Sequence, residues 1–401
     1  MQADIRLPKR HFGVLCDTTR IEAFDAAVKT AVVTLQEQDK DVRVLCLGAA
    51  AGLLPLLALR HGARHVTAAE RWLYMALSCN DHLKANGITA EQAKVVYKRP
   101  SDLTLGADVP VVCNMLICDM LEDGLLSAGL IPACRHALAK LMLPDAVVIP
   151  AAATVYAQAV QFRGDSVCGF DLSATNLYRW EPAHASGTPL SPDSYVVLSE
   201  PMRVWHFDIV APPEESDSKV LDLEFTGAGR FNAIVFWFDL HMGGGQVLST
   251  GPGAGMTSLQ PALQYLPGEL VVEAGTILGL RCSHNTVRMR FDLEREEYVH
   301  LYKTDASFPR QQFSMLADVA RAEAYQAAIA RQVAKRKALE GATPSWLTLY
   351  RGFSDKQLLP SGEVHALDMG TGSGLLAMMA AQAGADRCES THLLLLPSES
   401  R

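Results

Sequence analysis

The chain has 401 residues, 49% of them apolar, and a formal net charge of −8 at neutral pH. This length predicts two to three domains with ordinary buried cores. Because the charge is negative and the basic residues are scattered, direct nucleic-acid binding is not expected. The nine cysteines form no CxxC pair, which indicates reduced thiols and favours neither a disulfide framework nor a zinc site. We therefore expect a cytoplasmic or nuclear protein that holds no metal.

No association with a membrane is expected either. The longest apolar run, Val44 to Leu59, is short for a transmembrane helix and contains Pro55. The segment MQADIRLPKR at the start has no apolar stretch resembling a signal peptide. The sequence therefore predicts neither a membrane span nor a secretory leader.

The first 150 residues alternate between helix and strand signals. Residues 11–37 carry apolar residues at helical spacing, with Asp17 and Thr18 placed to begin a helix. Strand and helix patterns then alternate as far as Pro150, which is typical of a parallel sheet with helices on both faces. Residues 1–150 are therefore predicted to form a doubly wound, Rossmann-like α/β domain with an N-terminal helix.

After Pro150 the pattern changes to short alternating runs separated by Gly, Pro and Ser. Such runs predict an antiparallel sheet or β-barrel over residues 151–305. Between Cys168 and Tyr195, aromatic residues lie within a polar, Pro-containing stretch. We interpret this stretch, near 168–195, as a projecting arm.

One block of sequence occurs twice. A strand, a glycine-rich turn and a helix begin at Val42 as VRVLCLGAAAG and again at Val364 as VHALDMGTGSG. The helix before each turn is also similar, since RHFGVLCDTTRIEAF precedes the first and QQFSMLADVARAEAY the second. A helical pattern from Ala306 to about Gly341 leads into the second turn. Residues 306–401 are therefore predicted to be the truncated start of a second module.

The glycine turns are candidate cofactor sites, because a turn without Cβ atoms lets a ligand approach the backbone at a helix N-terminus. The G-x-G-x-G spacing of the second copy is closer to the S-adenosylmethionine pattern than to the dinucleotide pattern. In the first copy, Ala50 replaces the middle glycine, and Cys46 stands where the second copy has Asp368. Glu70, at the end of the next strand, is placed to accept two ribose hydroxyl hydrogen bonds. The alternative is a vestigial turn that binds nothing.

The motifs HFGVLCDTTRIEAF, NMLICDMLEDGLL and VVIPAAATVYAQ, together with the turn and Glu70, occur in an order that resembles the protein arginine methyltransferases. The tandem architecture and the LSEP segment at Leu198 to Pro201 resemble the two-module, type-III-like branch most closely. This resemblance implies a Rossmann-like S-adenosylmethionine methyltransferase domain, an antiparallel β-barrel domain with a projecting arm, and the start of a second methyltransferase module.

The resemblance also implies roles for individual residues. In that family a helix arginine pairs with the cofactor carboxylate, although an arginine on the surface of an amphipathic helix is an alternative interpretation. The cofactor set implied across both copies is Arg20, Gly48, Gly52, Glu70, Arg321, Asp368, Gly370, Gly372 and Gly374.

A substrate guanidinium needs carboxylates to hold it. The family uses two glutamates, whose places Asp119 and Ala128 take here. Glu122 and Asp123 lie nearby, so we take Asp119 and Glu122 as the candidate catalytic residues, with a solvated acidic loop as the alternative. The family's Thr-His-Trp loop corresponds to residues 257–259, which read Thr-Ser-Leu and contain no histidine.

Two functions follow from the resemblance. The first is S-adenosylmethionine-dependent methyl transfer to arginines of basic or Arg-Gly-rich proteins. The second is a non-catalytic partner that uses the arm around Leu177 to Trp180 to dock on the second module, within a homodimer or a tandem pseudo-dimer. A nicotinamide-dependent oxidoreductase would fit the α/β half but leaves the barrel, the helix arginine and the repeat unexplained.

Overall fold

The structure is a computed structural model that describes residues 10–180, 195–213, 216–294, 298, 300–301, 303–308, 315–316, 318–338, 363–369 and 372–391. The chain divides into two compact units. One contains Met1–Phe162 with Pro182–Leu301, and the other contains Arg163–Glu181 with Tyr302–Arg401. In the described residues, no helix is both long and apolar enough to cross a bilayer.

The first unit begins with a doubly wound α/β half. Its elements in chain order are α1 (Arg10–Cys16), α2 (Thr18–Glu37), β1 (Arg43–Leu47), α3 (Leu53–Arg60), β2 (His65–Glu70), α4 (Leu73–Ala85), β3 (Ala93–Tyr97), β4 (Cys113–Cys118), α5 (Leu130–Lys140) and β5 (Met142–Ile149). The strands form one parallel sheet in the order β3-β2-β1-β4-β5. Every residue of β4 is buried, as expected for a parallel strand covered on both faces. The predicted Rossmann-like architecture is confirmed.

The helix predicted over residues 11–37 is interrupted at Asp17, because α1 ends at Cys16 and α2 begins at Thr18. The backbone angles of Asp17 are not helical. Its side chain accepts a hydrogen bond from the backbone N–H of Arg20 at 3.2 Å. A carboxylate in this position satisfies a donor that the first turn of a helix leaves unpaired. The predicted helix start is confirmed, and the cap explains the break.

The chain continues in strands. They are β6 (Ala152–Gln161), β7 (Ser166–Val167), β8 (Phe170–Asp171), β9 (Tyr178–Trp180), β10 (Val196–Val197), β11 (Met202–Asp208), β12 (Asp217–Glu224), β13 (Gly229–Gly243), β14 (Gln246–Ser249), β15 (Ala262–Val272), β16 (Ile277–His284), β17 (Met289–Leu293), β18 (His300–Leu301) and β19 (Lys303–Phe308).

Most of these strands complete the first unit as antiparallel sheets. A seven-stranded sheet has the order β10-β6-β13-β15-β18, with β11 paired to β6 and β14 to β13, and β12, β16 and β17 form a second sheet. Along β13, Phe236, Phe238 and Leu240 enter the same hydrophobic core as the α/β half. The predicted antiparallel sheet is therefore confirmed, and it shares one core with the parallel sheet.

The second unit contains β7, β8, β9 and β19 together with α6 (Val319–Lys337), β20 (His365–Met369), α7 (Leu375–Gln382) and β21 (Arg387–Thr391). Strand β19 runs to Phe308, so the helical pattern expected from Ala306 was wrong for its first three residues. Of the arm predicted near 168–195, residues 168–180 belong to this unit, and residues 181–194 lie outside the described part of the chain.

His284, at the end of β16, is packed among aromatic rings. Its ring meets Trp205 edge-on at a centroid distance of 4.7 Å and Phe207 at 5.0 Å. Burial lowers the pKa of His284 below its ordinary value; Asp217 acts in the opposite direction, and Lys219 lowers the pKa further. The folded protein therefore favours the neutral imidazole.

This environment predicts a pH-dependent loss of stability. Because the unfolded chain takes up the His284 proton more readily, the free energy of unfolding should fall as the pH drops below about 6.5, the ordinary histidine pKa. In His284→Phe, which keeps an aromatic ring, the decrease between pH 7 and pH 5 should be smaller than in the wild type. Urea unfolding at several pH values measures this difference. An equal decrease in the free energy of unfolding for both proteins would contradict the assignment of a lowered pKa to His284.

Candidate functional site

The first glycine turn joins β1 to α3. Gly48 and Gly52 have φ values of +73° and +92°, in the left-handed region. A Cβ on Gly48 would lie 3.0 Å from the Asp119 carbonyl oxygen, and one on Gly52 would lie 3.0 Å from Cys79 Sγ. Both positions therefore require glycine for conformation and for space.

Ala50 lies in the same turn with a φ of +44°. Its counterpart in the second copy, Gly372, has a φ of +53°, so the backbone is left-handed at both positions. The left-handed region costs an alanine roughly 1–2 kcal/mol because Cβ crowds the following carbonyl oxygen. Ala50 therefore adopts a conformation that a glycine would adopt at lower cost.

Glu70 holds this turn from the end of β2. Its Oε2 accepts a hydrogen bond from the Ala50 N–H and its Oε1 accepts one from the Trp72 N–H, both at 2.9 Å. The residue is 4% exposed. Each carboxylate oxygen has a second acceptor site, so these contacts leave capacity for the hydroxyls of a ligand.

Arg20 and Asp119 form a buried ion pair beside the turn. Arg20 Nη2 donates directly to Asp119 Oδ1, and Arg20 Nη1 donates to Ser258 Oγ at 3.2 Å. The two side chains are only 5% and 7% exposed. Burial raises the pKa of Asp119, while the charge and hydrogen bond of Arg20 work to lower it. Because an arginine stays protonated in proteins, a neutral Asp119 would leave a buried cation without a counter-ion.

Asp17 connects this pair to the antiparallel half. Besides capping α2, its Oδ2 accepts the N–H groups of Thr257 at 3.0 Å and Ser258 at 2.8 Å. Burial works to raise the pKa of Asp17, but hydrogen bonds from Ser258, Arg20 and Thr257 hold it below its ordinary value. The carboxylate therefore fixes the loop whose Ser258 hydroxyl contacts Arg20.

The sequence patterns identified Asp17 only as a helix start and missed its contacts with residues 257–258. A signal was nevertheless present, since Asp17 and Arg20 recur at the same spacing as Asp318 and Arg321. Asp318 also caps its helix, α6, by accepting the Arg321 N–H at 3.0 Å.

A cavity of the first unit brings together four of the six site residues predicted in that unit. These four, Arg20, Gly48, Glu70 and Asp119, line this cavity. The remaining lining residues are Val14, Ala50, Ala69, Arg71, Trp72, Pro100, Met120, Leu121, Ala128, Ser258 and Leu259. Ala128 takes the place of the family's second glutamate, and Ser258 takes the place of its histidine. Both are uncharged, and both line the cavity.

The other acidic candidates lie elsewhere. Glu122 is outside the cavity lining, and its Oε2 accepts the Ser127 hydroxyl at 2.6 Å. Asp123 is buried, and its Oδ1 accepts the Gln260 N–H at 2.9 Å. Neither carboxylate takes the place of the missing one at Ala128. In the described residues, no group of three or more His, Cys, Asp or Glu is arranged to hold a metal ion.

The remaining predicted residues lie in the second unit. Arg321 is exposed on α6, with its guanidinium 5.7 Å from the centre of the Tyr325 ring. Asp368 lies on β20, and Gly372 and Gly374 precede α7 in left-handed conformations. Gly370 lies outside the described residues.

The parallel sheet, the glycine turn with Glu70 at the next strand end, and the appended antiparallel sheet define a Rossmann-like methyltransferase fold. Residues 151–298 match the family model described as the arginine methyltransferase oligomerization subdomain. Protein arginine N-methyltransferase 7 from Drosophila mojavensis is 30% identical over 332 residues, which cover 71% of this chain and 47% of that relative. The Drosophila virilis protein of the same name is 29% identical, with the same coverage.

A solved structure agrees with this fold. A chain of the Trypanosoma brucei PRMT1 enzyme-prozyme heterotetrameric complex with AdoHcy superposes with a TM-score of 0.58 at 19% identity, covering 73% of this chain and 94% of that one. The chain is similar to the protein arginine methyltransferases, through the family model over residues 151–298 and through the relatives named protein arginine N-methyltransferase 7 over 71% of its length. It spans about half the length of the curated relatives that it matches.

The strain at Ala50 gives a first prediction for the site. Ala50→Gly should raise the free energy of unfolding by about 1 kcal/mol, because glycine removes the left-handed penalty at a smaller cost in chain entropy. Ala51→Gly, at a neighbour without a positive φ, should lower it and serves as the control. Chemical denaturation measures both variants, and a loss of stability in Ala50→Gly would contradict the proposed strain.

The Asp17 contacts give a second prediction. Asp17→Ala should speed amide hydrogen exchange at residues 257 and 258, because their N–H groups lose a buried acceptor. It should also destabilise the start of α2, by about 1 kcal/mol for the lost cap. Asp318→Ala removes the equivalent cap in the second copy and should leave exchange at 257–258 unchanged. Equal protection at these two amides in Asp17→Ala and the wild type would disprove the linkage.

Proposed function

We propose that this chain is an S-adenosylmethionine-dependent protein arginine methyltransferase. The observation that carries the proposal is one cavity in which the glycine turn, Glu70, Arg20 and Asp119 meet. These groups come from the ends of β1, β2 and β4 and from α2, and carboxyl ends of parallel strands are the usual ligand edge of such sheets. The curated relatives, which are protein arginine N-methyltransferases by name, support the proposal.

The residues present fit the cofactor. The turn has no room for a Cβ at Gly48, Glu70 can accept hydroxyls of a ribose, and the buried guanidinium of Arg20 can bind a carboxylate. The solved Trypanosoma relative contains AdoHcy, the thioether form of the same cofactor. When bound, S-adenosylmethionine supplies an electrophilic methyl group on a sulfonium.

Asp119 is the residue that we assign to the substrate. A guanidinium is cationic and planar, so a carboxylate at the wall of the cavity can orient one of its nitrogens. Ala128 and Ser258 leave Asp119 without the second carboxylate and the histidine of the family pattern. We therefore expect slow transfer, since a missing charge partner removes a few kcal/mol of transition-state stabilisation. Arginine-containing proteins such as basic or Arg-Gly-rich chains are the proposed substrates, in the cytoplasm or the nucleus.

A specific observation favours a second function, that of a non-catalytic partner. Leu172 directly follows β8 in the predicted arm. It packs in the core of the second unit with Leu316, Ala322 and Leu375. All three belong to the second copy of the repeat. The arm therefore contacts, through Leu172, the part of the chain that begins the second copy of the repeat, and this contact supports the partner hypothesis, which places the docking at Leu177 to Trp180.

The repeat extends this argument to assembly. The first-copy counterparts of those three residues are Leu15, Ile21 and Leu53, which line an apolar cavity of the first unit. An arm of similar composition, from a second copy or from a further module, would bury this apolar surface. A homodimer or a tandem pseudo-dimer is the arrangement that we propose, and the oligomerization subdomain matched by residues 151–298 supports it.

Calorimetry with S-adenosylmethionine tests the cofactor site. The wild type should bind, and Glu70→Gln should bind at least about tenfold more weakly, because hydrogen bonds to a charged acceptor contribute about 1.5–3 kcal/mol each. Glu91→Gln, an exposed glutamate outside the cavity, is the matched control and should bind like the wild type. The absence of heat from every protein would end the methyltransferase proposal for this unit.

Methyl incorporation separates the two functions. Radiolabelled S-adenosylmethionine and an Arg-Gly-rich peptide should give labelled arginine, whereas a peptide with every arginine changed to lysine should stay unlabelled. Asp119→Asn should abolish the label without changing the fold measured by circular dichroism. Cofactor binding without incorporation into the arginine peptide would favour the partner function.

A further inference from the structure

His82, on α4, is outside the cavity lining but contacts the first glycine turn. Its Nδ1 lies 2.8 Å from the carbonyl oxygen of Ala51. We propose that His82 is a positioning residue, which holds this turn in the conformation that binds the cofactor. The inference rests on the proposed methyltransferase function. It adds to the site a residue that lies on a different helix from the turn and from Arg20.

The turn bends most tightly at Ala50 and Ala51. The N–H of Gly52 donates to the carbonyl of Ala49 at 2.8 Å, so Ala50 and Ala51 are the two central residues of a β-turn. Ala50 has a φ of +44°, in the region that crowds the Cβ of an alanine. A residue in such a conformation persists only where the surrounding structure holds it.

Two side chains hold the peptide groups on either side of this bend. Before the bend, Glu70 Oε2 accepts the Ala50 N–H at 2.9 Å. After the bend, the carbonyl oxygen of Ala51 needs a donor. Residue 55, four positions further on, is Pro55, which has no N–H to give. His82 supplies the N–H from another helix.

The chemistry of the contact defines the state of the imidazole ring. A carbonyl oxygen only accepts hydrogen bonds, so Nδ1 of His82 must carry a proton. Cys79, three residues earlier on the same face of α4, also meets the turn, since a Cβ on Gly52 would lie 3.0 Å from its Sγ. Helix α4 therefore contacts the turn twice, through packing at Cys79 and through a hydrogen bond at His82.

The backbone preference of Ala50 makes this support matter for binding. Without the His82 hydrogen bond, the alanine can leave the left-handed region that crowds its Cβ. The apparent dissociation constant of a ligand rises as the population that can bind it falls. A glycine adopts left-handed angles about as readily as right-handed ones, so it would lose little of that population. The effect of His82 on cofactor binding should therefore depend on the residue at position 50.

Calorimetry with S-adenosylhomocysteine on the full chain tests the role of His82. His82→Leu removes the donor and should bind on the order of fivefold more weakly, the usual contribution of one neutral hydrogen bond. His82→Asn, whose amide N–H can reach the same carbonyl, should bind like the wild type, although leucine is the better helix former. His65→Leu removes a comparable bond, from His65 Nδ1 to the Glu91 carbonyl at 2.9 Å, outside the cavity lining, and should not change the affinity.

The outcomes separate this inference from the proposed function. Wild-type affinity in His82→Leu, or an equal loss in His82→Asn and His82→Leu, would overturn the role of His82 alone. Failure of the wild type to bind S-adenosylhomocysteine would overturn the proposed function as well. Thermal melts confirm that each variant is folded.

A double-mutant cycle with Ala50→Gly gives an independent test. In the Ala50→Gly chain, His82→Leu should weaken S-adenosylhomocysteine binding by about twofold or less, because glycine keeps the left-handed conformation populated. Equal losses in the two backgrounds would show that His82 does not act through the turn at Ala50, and would overturn the inference. Nitrogen NMR shifts of the ligand-free wild type should place a proton on Nδ1 of His82. A neutral ring with its proton on Nε2 would contradict the hydrogen bond.

Discussion

The carboxylate of Asp17 is the contact on which the site depends. It accepts three backbone N–H groups, one from the first turn of α2 and two from residues 257 and 258. An unpaired buried N–H costs about 1–3 kcal/mol, so this one side chain strongly favours a single arrangement of helix and loop. That arrangement places Arg20 between Ser258 and Asp119. The α/β half and the antiparallel half therefore meet at the cavity through a polar contact as well as through their shared core.

Buried charge then determines what the cavity can bind. The lining contains two carboxylates, and each is already engaged by groups of the chain itself, Glu70 by the backbone and Asp119 by Arg20. A ligand must therefore share these contacts or compete with them. A cation that entered beside Ala128 would find no second carboxylate there, and a buried ion that lacks compensation is strongly disfavoured.

The two copies of the repeat show which features of the site survive sequence change. Ala50 and Gly372 both have a left-handed φ, although one is alanine and the other glycine. Both copies also have a helix-capping aspartate, Asp17 or Asp318, and an arginine three residues later. Chemistry differs at Cys46, the counterpart of Asp368. Burial and the nearby Asp119 raise the pKa of Cys46 well above the ordinary thiol value, so a neutral thiol stands where the second copy has an aspartate.

The sequence by itself determined the alternation of strands and helices, the glycine turns, the repeat and the place of Glu70 at a strand end, because periodicity and turn chemistry are local properties of the chain. Asp119 was identified only through the family resemblance. Sequence patterns did not predict the contacts between side chains and groups that are distant along the chain. Glu122 and Asp123 look equivalent along the chain, yet one accepts Ser127 and the other holds Gln260. Only the tertiary structure decided that Asp17 fixes residues 257–258 and that Arg20 occupies Asp119, since these contacts span 99 to 241 positions and their strength comes from burial.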